Sequence, residues 1–501
     1  MLDLVIKSGL IVDGDGGEPF VSDIGIKAGK IVEIGDVTDE ATKIINAIGL
    51  TVTPGFIDSH SHSDNAVFSN PDMIEKCEQG ITTSIGGQCG SSIFPSPESE
   101  NESLRSSEAF FSAFEKVPLG SSLKTFVGHS RIRRVVMGLE NRRPTEAELS
   151  EMCDLVRRAV RAGAIGLSFG LIYNPGCFAG TDELIELAKA CVSEGGMLSA
   201  HMRNEGDKVI EALKEYIEII KASGAKAVVS HFKATYEQNH GKVREMVRLV
   251  EEANAEGAEI YCDVYPYIAS STSLNARFVP KEYRADGKTL ENLADPTIRK
   301  AIKDSYTSPG MKKLDWVLIT SCKNHPEFEG KYISEIAEML GCEDIEAALR
   351  IIELSHDNAG ACYFTMCEED VKFVIAYPRA MICTDSSVVR SASKYHPRLR
   401  GTFPRAIAKY TREEKVVPLP EMIRKMTSLP ATVYDLKTKG RIKVGYDADI
   451  CIFDYDRIQD KATFVEPSHH AEGLNYVIIS GNIVCESAKY NGTRAGKVIK
   501  R

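Results

Sequence analysis

Through its middle the chain alternates short apolar runs with longer stretches of helical periodicity. The apolar runs fall at residues 52–59, 81–86, 123–129, 163–168, 196–200, 226–230, 257–263 and 379–384. Between them, Glu146 to Ala162, Thr181 to Glu194, Gly206 to Ser223 and Lys242 to Glu256 repeat apolar positions at the spacing of a helix with one buried stripe. A fully apolar strand followed by such a helix is the unit of a parallel sheet covered by helices. Eight such units predict an α/β fold, a (β/α)8 TIM barrel.

The two ends have another texture. Leu4-Val-Ile6, Leu10-Ile-Val12 and Ile24-Gly-Ile26 are short strand patterns separated by turn residues, among them Asp13-Gly-Asp-Gly-Gly17. No helical pattern follows those glycines, so they are not a phosphate loop. Ala448-Asp-Ile-Cys-Ile-Phe453, Tyr476-Val-Ile-Ile479 and Asn482-Ile-Val484 repeat the texture near the other end. Residues 1–53 and 432–501 are therefore expected to meet in one small β-sandwich domain, with 54–431 forming the barrel. About 115 residues separate the seventh run from the eighth. A connection of that length predicts a lid insertion, placed at about 276–350.

Composition narrows the class. A chain of 501 residues fits one large domain with a smaller one. A net charge of −10 without a long basic run argues against nucleic acid or an anionic membrane as partner. The first residues, Met1-Leu-Asp-Leu-Val-Ile-Lys, contain neither a signal peptide nor a membrane span, and the expected location is cytoplasmic. Most of the 13 cysteines are expected to be reduced, buried and structural, Cys362 and Cys367 included. Nothing in the pattern chooses between a monomer and a homo-oligomer.

Candidate chemistry sits where the apolar runs end. The first run leads into His60-Ser-His62, and a strand's period of two puts both rings on one face, roughly 7 Å apart. The second leads into Gly87-Gln-Cys89-Gly90, the fifth into His201, the sixth into His231 and the eighth into Asp385. The carboxyl ends of barrel strands form the active face, so these residues converge. Imidazole and thiolate select Zn²⁺ over Mg²⁺ or Ca²⁺. The partition read from them is a tight site of Cys89, His201 and His231 and a second, weaker one of His60, His62 and Asp385, with the cysteine positioned to bridge both. Pocket-lining roles are also expected of His129 and Tyr173.

Longer motifs carry a resemblance over nearly the whole length. They are Gly55-Phe-Ile-Asp-Ser-His-Ser-His62, Gly80-Ile-Thr-Thr83, Gly87-Gln-Cys-Gly90, Gly128-His129 and Gly166-Leu-Ser-Phe-Gly-Leu-Ile-Tyr173-Asn-Pro-Gly176. His201-Met-Arg-Asn-Glu205, Ser230-His-Phe-Lys233, Tyr265-Pro-Tyr-Ile-Ala-Ser-Ser-Thr-Ser273, His396-Pro-Arg398-Leu-Arg-Gly-Thr-Phe-Pro-Arg405 and Gly445-Tyr-Asp-Ala-Asp-Ile450 continue it. The chain resembles the amidohydrolase superfamily and, within it, the N-acyl-D-amino-acid deacylases (D-aminoacylases). The resemblance implies a zinc-dependent hydrolase that cleaves a small N-acyl-D-amino acid with a free carboxylate. It implies zinc ligands at Cys89, His201 and His231, with His60, His62 and Asp385 at a weaker position. Asp385 would be general base and then general acid. Arg398 would hold the substrate's carboxylate, a task suited to its two-pronged guanidinium. Tyr267 and Ser273 would assist it, and Lys233 would lie near the metal.

The chain also departs from the pattern. Phe232 stands where relatives often carry histidine, Gln88 where asparagine is more usual, and Arg400 where an aromatic is usual. Arg400 near Arg398 would favour an acidic substrate or face solvent. Three rivals remain: a dipeptidase acting on a D-configured or unusual dipeptide, another amidohydrolase reaction on a related linear or cyclic amide, such as cyclic-amide opening or deamination, and a non-enzymatic assembly protein. Ring-opening relatives usually place a metal-bridging lysine on the fourth strand, and Gly163-Ala-Ile-Gly-Leu-Ser168 has none. An assembly protein should lack several of the ligands, which are all present here.

Overall fold

The computed structural model describes residues 1–306, 313–388 and 394–501. Eight parallel strands form the central barrel. They are β1 (Phe56–Asp58), β2 (Ile81–Gly86), β3 (Ser122–Thr125, continued by Val127–Gly128), β4 (Gly166–Gly170), β5 (Met197–His201), β6 (Lys226–Val229), β7 (Glu259–Val264) and β8 (Ala380–Ile382). Each pairs in parallel with the next, from Phe56 opposite Ile81 round to Cys262 opposite Ala380. The ring closes just beyond the strands, where Ser61 bridges Ser386 and the Asp385 N–H donates to His60 O at 2.9 Å. The strand residues are buried on both faces, as expected of strands packed between helices and a barrel interior.

Two apolar runs divide differently from their sequence reading. Residues 52–59 are not one strand. Thr51–Pro54 pairs antiparallel with Ile450–Phe453 in the terminal sheet, and the Gly55 N–H donates to Asp449 O at 2.7 Å before β1 starts. The third run breaks at Phe126, so that its first half pairs with β2 and its second with β4.

The terminal sheet has nine strands and takes members from both ends of the chain. Its strand Leu2–Ile11 pairs with Ala41–Asn46 along its first half and with Thr51–Pro54 at its end, so the sheet folds around an interior of Ile6, Ile24, Ile26, Ile45, Ile450 and Ile478. Between β7 and β8, Ser270–Ser273, Val317–Cys322 and Ala359–Tyr363 form a three-stranded antiparallel sheet. Helices including Pro296–Ser305, Ile333–Leu340 and Asp344–Leu354 cover it over a separate apolar core around Phe278, Ile319 and Tyr363. This insertion stands over the barrel mouth. Among the described residues no helix is long and apolar enough to cross a membrane.

Candidate metal centre and substrate cavity

At the carboxyl ends of the strands the backbone turns sharply. Cys89, His231 and Asp385 have φ values of 54°, 37° and 46°, in the left-handed region that residues with a Cβ rarely occupy. The turn before Cys89 depends on Gly87, whose φ is 68° and where a Cβ would lie 2.2 Å from Phe126 O. Asp64 anchors that turn by accepting the Gly87 N–H at 2.8 Å.

These turns bring six side chains together in two groups that share Cys89, one with His60, His62 and Asp385, the other with His201 and His231. Within each group the donor atoms lie within 4.8 Å of one another. Cys89 Sγ is 3.3 Å from His60 Nε2 and 3.5 Å from His231 Nε2. Asp385 Oδ1 is 3.3 Å from His62 Nε2 and 3.5 Å from His60 Nε2. Neither ring nitrogen of His201 has a hydrogen-bond partner among the described residues, although both are buried. Burial raises the Cys89 thiol's pKa, but the charges of His60 and His231 outweigh it and hold it well below its usual value, favouring the thiolate. Burial likewise raises the Asp385 carboxyl, but Arg398 beside it and the His62 hydrogen bond hold it far below the usual carboxylate range.

Two buried acids that the sequence reading gave no role organise the cluster. Asp263, at the end of β7, accepts the His231 backbone N–H at 2.6 Å and lies 3.4 Å from His60 Nδ1. It orients one histidine from each group, as carboxylates behind metal-binding histidines do. Glu205 lies 3.0 Å from His231 Nδ1, 3.7 Å from His201 Nε2 and 2.6 Å from Lys233 Nζ. Burial raises its pKa, but Lys233 and the two imidazoles more than compensate and keep it ionised. Glu205 was visible in the motif after His201. Asp263, one of two acids in an otherwise largely apolar run, has no local signature.

A cavity of about 450 Å³ opens above the cluster. Lys233, Tyr173 and Arg398 line it. Arg398 is buried, with Nη1 2.8 Å from Asp385 Oδ2 and its guanidinium 4.9 Å over the Tyr265 ring. Tyr173 hydroxyl is 3.0 Å from Thr272 Oγ1, and its ring abuts His201. Three expected contributors stand outside the lining. The Tyr267 ring packs against Arg405 and His396, Ser273 hydrogen-bonds Asn275 at 2.7 Å, and His129 pairs with Glu183 at 3.0 Å in the core. Tyr265 and Ser271 occupy the wall instead. Arg400 neither enters the cavity nor faces open solvent, because it is held by Glu78 at 3.0 Å, Glu75 at 3.5 Å and the Tyr395 hydroxyl at 3.2 Å.

The sequence profile of the amidohydrolase family matches residues 43–257 and 327–485, most of the chain. The chain belongs to the amidohydrolase family. This amidohydrolase is 33% identical to a D-aminoacylase of Alcaligenes xylosoxydans xylosoxydans, over 100% of its own length and 98% of the relative's. It is equally identical, at 33%, to an N-acyl-D-glutamate deacylase of the same organism, over 100% and 97% of the two chains. The equality means that overall identity does not choose between their substrates. The amidohydrolase superposes with a TM-score of 0.86 and 32% identity on the crystal structure of N-acyl-D-glutamate deacylase from Bordetella bronchiseptica, with both chains fully covered. That structure was solved with zinc and a phosphonate inhibitor that mimics the tetrahedral intermediate of the reaction.

Proposed function

We propose that this amidohydrolase hydrolyses the amide bond of N-acyl-D-amino acids, releasing a carboxylate and a free D-amino acid. One observation carries the reading: donor groups sharing Cys89 lie beneath a cavity whose wall holds a buried arginine against Asp385, in a chain whose full-length relatives are named as such deacylases.

The donor set fits Zn²⁺. Thiolate, imidazole and carboxylate are its usual ligands, and the nitrogens of His201, buried without a hydrogen bond and with only Glu205 at 3.7 Å, are costly unless something coordinates or hydrogen-bonds them. Cys89, His201 and His231 would hold one ion, and His60, His62 and Asp385, with Cys89 shared, a second, weaker one. Bound zinc supplies Lewis acidity, polarising the amide carbonyl and making a water molecule acidic.

The chain's own residues do the rest. Asp385, ionised at neutral pH, takes the proton from the attacking water and returns it to the leaving nitrogen as the C–N bond breaks. Arg398 grips the substrate's α-carboxylate with the part of its fork not turned to Asp385, tying substrate and base to one guanidinium. Lys233 and Arg398 both lie over the Tyr265 ring, at 5.6 and 4.9 Å, and Arg398 Nη2 donates to Ser271 O at 3.5 Å, so Lys233, Tyr265 and Ser271 complete that grip.

The side chain of the amino acid meets Arg277, brought in by the insertion. Arg277 stands between the rings of Tyr236 and Tyr363, at 5.2 and 5.3 Å, and its buried Nε has no hydrogen-bond partner among the described residues. A cation stacked on rings and facing a cavity favours an acidic side chain.

The test is release of free amino acid from a panel of N-acetyl-D- and N-acetyl-L-amino acids by the zinc-loaded enzyme. Turnover of the D series, highest for D-glutamate or D-aspartate, is expected. Turnover confined to the L series, or to dipeptides, would overturn the proposal.

A further inference from the structure

Three arms radiate from the scissile amide of such a substrate: the α-carboxylate, the amino-acid side chain and the acyl group. The cavity offers cations to the first two, Arg398 and Arg277. It has a third cationic end that neither uses. The helix His129–Met137 leaves β3 and carries Arg131 and Arg134 into the cavity wall. In a ring of eight strands β3 lies opposite β7, whose loop supplies Tyr265 and Ser271. The arginine pair therefore stands across the barrel mouth from Tyr265 and Ser271, on the side left free for the acyl arm.

Among the described residues the pair makes no ion pair, although Asp64 lies near enough to act on Arg131. Arg133, on the same helix, is neutralised by Glu183 in the core. Arg131 donates its Nε to Ser92 O at 2.9 Å, and among the described residues neither Arg131 nor Arg134 has an acidic partner within ion-pair distance. The segments 307–312 and 389–393 contain no Asp or Glu. Burial and the charge of Arg134 both press on the Arg131 cation, the Asp64 carboxylate offsets only part of this, and an anion between the two arginines would relieve the rest. Beside them, Ser130 Oγ is buried with no hydrogen-bond partner, and Ser91 and Ser92 line the same end. The other cations of the cavity wall besides Arg277 are already matched, Lys233 by Glu205 and Arg398 by Asp385.

We propose that the acyl group of the natural substrate ends in a carboxylate, bound by Arg131, Arg134 and Ser130, so that the enzyme removes a dicarboxylic acyl group such as succinyl. This rests on the deacylase reading above and extends it. Water's oxygen bonds to the acyl carbon, the C–N bond breaks and the nitrogen takes a proton, giving a dicarboxylate and the free D-amino acid. A cavity of about 450 Å³ has room for that arm.

The experiment uses the zinc-loaded full chain and the D-amino acid preferred in the N-acetyl panel. kcat/KM is compared for its N-acetyl, N-butyryl and N-succinyl derivatives. The expected result is an N-succinyl value at least about tenfold above both neutral ones, a margin that shrinks with added salt as exposed charges are screened. In Arg134→Gln, and further in Arg131→Gln/Arg134→Gln, the succinyl-to-butyryl ratio should fall about tenfold while thermal melting shows the fold retained. Arg134 is exposed, so the single variant guards against misfolding of the double one. Equal turnover of N-butyryl and N-succinyl substrates, or a ratio unmoved by the substitutions, overturns the inference and leaves the deacylase reading intact. Failure to release amino acid from any derivative removes that reading, and the inference with it.

Discussion

Cys89, His231 and Asp385 hang from backbone that an L residue seldom adopts. Each such residue costs on the order of 1–3 kcal/mol and persists only where its surroundings over-determine it. The surroundings here are specific hydrogen bonds: Gly87 N–H to Asp64, His231 N–H to Asp263, and Asp385 N–H to His60 O. Strain held in this way fixes donor atoms before anything binds, which is the preorganisation a metal hydrolase needs. In the proposed mechanism the chemistry turns on Asp385. Replacing it by asparagine keeps an oxygen donor near His60 and His62 but removes the base. Asp385→Asn is expected to retain zinc by elemental analysis and to lose about 10²–10⁴-fold in kcat, the range for a general acid–base group. A variant within about twofold of wild-type kcat would refute the assigned role.

At the scale of elements, strand ends were readable because a barrel puts its chemistry at one defined place on each strand. His60, His62, Cys89, His201, His231 and Asp385 each follow an apolar run, and the structure brings them together. Contributors beyond the strand ends were harder to read. Tyr265 and Tyr267 are two apart in an irregular segment after β7, and which of them faces the cavity is decided by packing against Arg398 and Arg405, far along the chain. The split at Gly55 was invisible for a similar reason, since Thr51–Pro54 is drawn off by a strand 400 residues away. The insertion that delivers Arg277 and Ser271 depends on its own charge network. Arg299 joins the helices Pro296–Ser305 and Asp344–Leu354 through Glu346 at 2.9 Å and Glu353 at 2.7 Å. Burial raises the Glu346 carboxyl, but Arg299, Arg350 and Lys303 pull it down to about 2 from an ordinary 4.5. Its folded pKa is depressed, so its contribution is fully present above pH 4.5 and is lost as pH falls from there through about 2. Thermal melts from pH 6 to pH 3 should show an acid limb that Glu346→Gln makes shallower. An unchanged limb would place the acid sensitivity elsewhere.

For the molecule as a whole, the critical event is closure of the barrel, because His60 and Asp385 stand just beyond the first and last strands. Backbone pairing at the seam is confined to the bridge beyond the strands, and a buried lysine adds a side-chain lock there. Lys76, fully buried on the short helix Ile74–Cys77, reaches Asp58 Oδ2 at 2.9 Å, Thr384 Oγ1 at 2.8 Å and Ser386 Oγ at 3.0 Å. Asp58 in turn accepts the Thr384 N–H at 2.8 Å and its hydroxyl at 2.6 Å. β1 is thus tied to the segment beyond β8 by a buried network in which Asp58, Lys76 and Thr384 are fully enclosed. Removing one member of a buried ion pair strands the other charge, at about 3–5 kcal/mol, whereas removing both charges is far less costly. Lys76→Met is therefore expected to lower the melting temperature by several degrees and to reduce kcat, because the His60–Asp385 spacing loosens with the seam. Asp58→Asn/Lys76→Met, with no charge left in the seam, should recover part of the lost stability. If instead the double variant melts below Lys76→Met, the network acts through its hydrogen bonds rather than its charges. If Lys76→Met melts and turns over like wild type, closure depends on the backbone bridge at Ser61 and Ser386 alone.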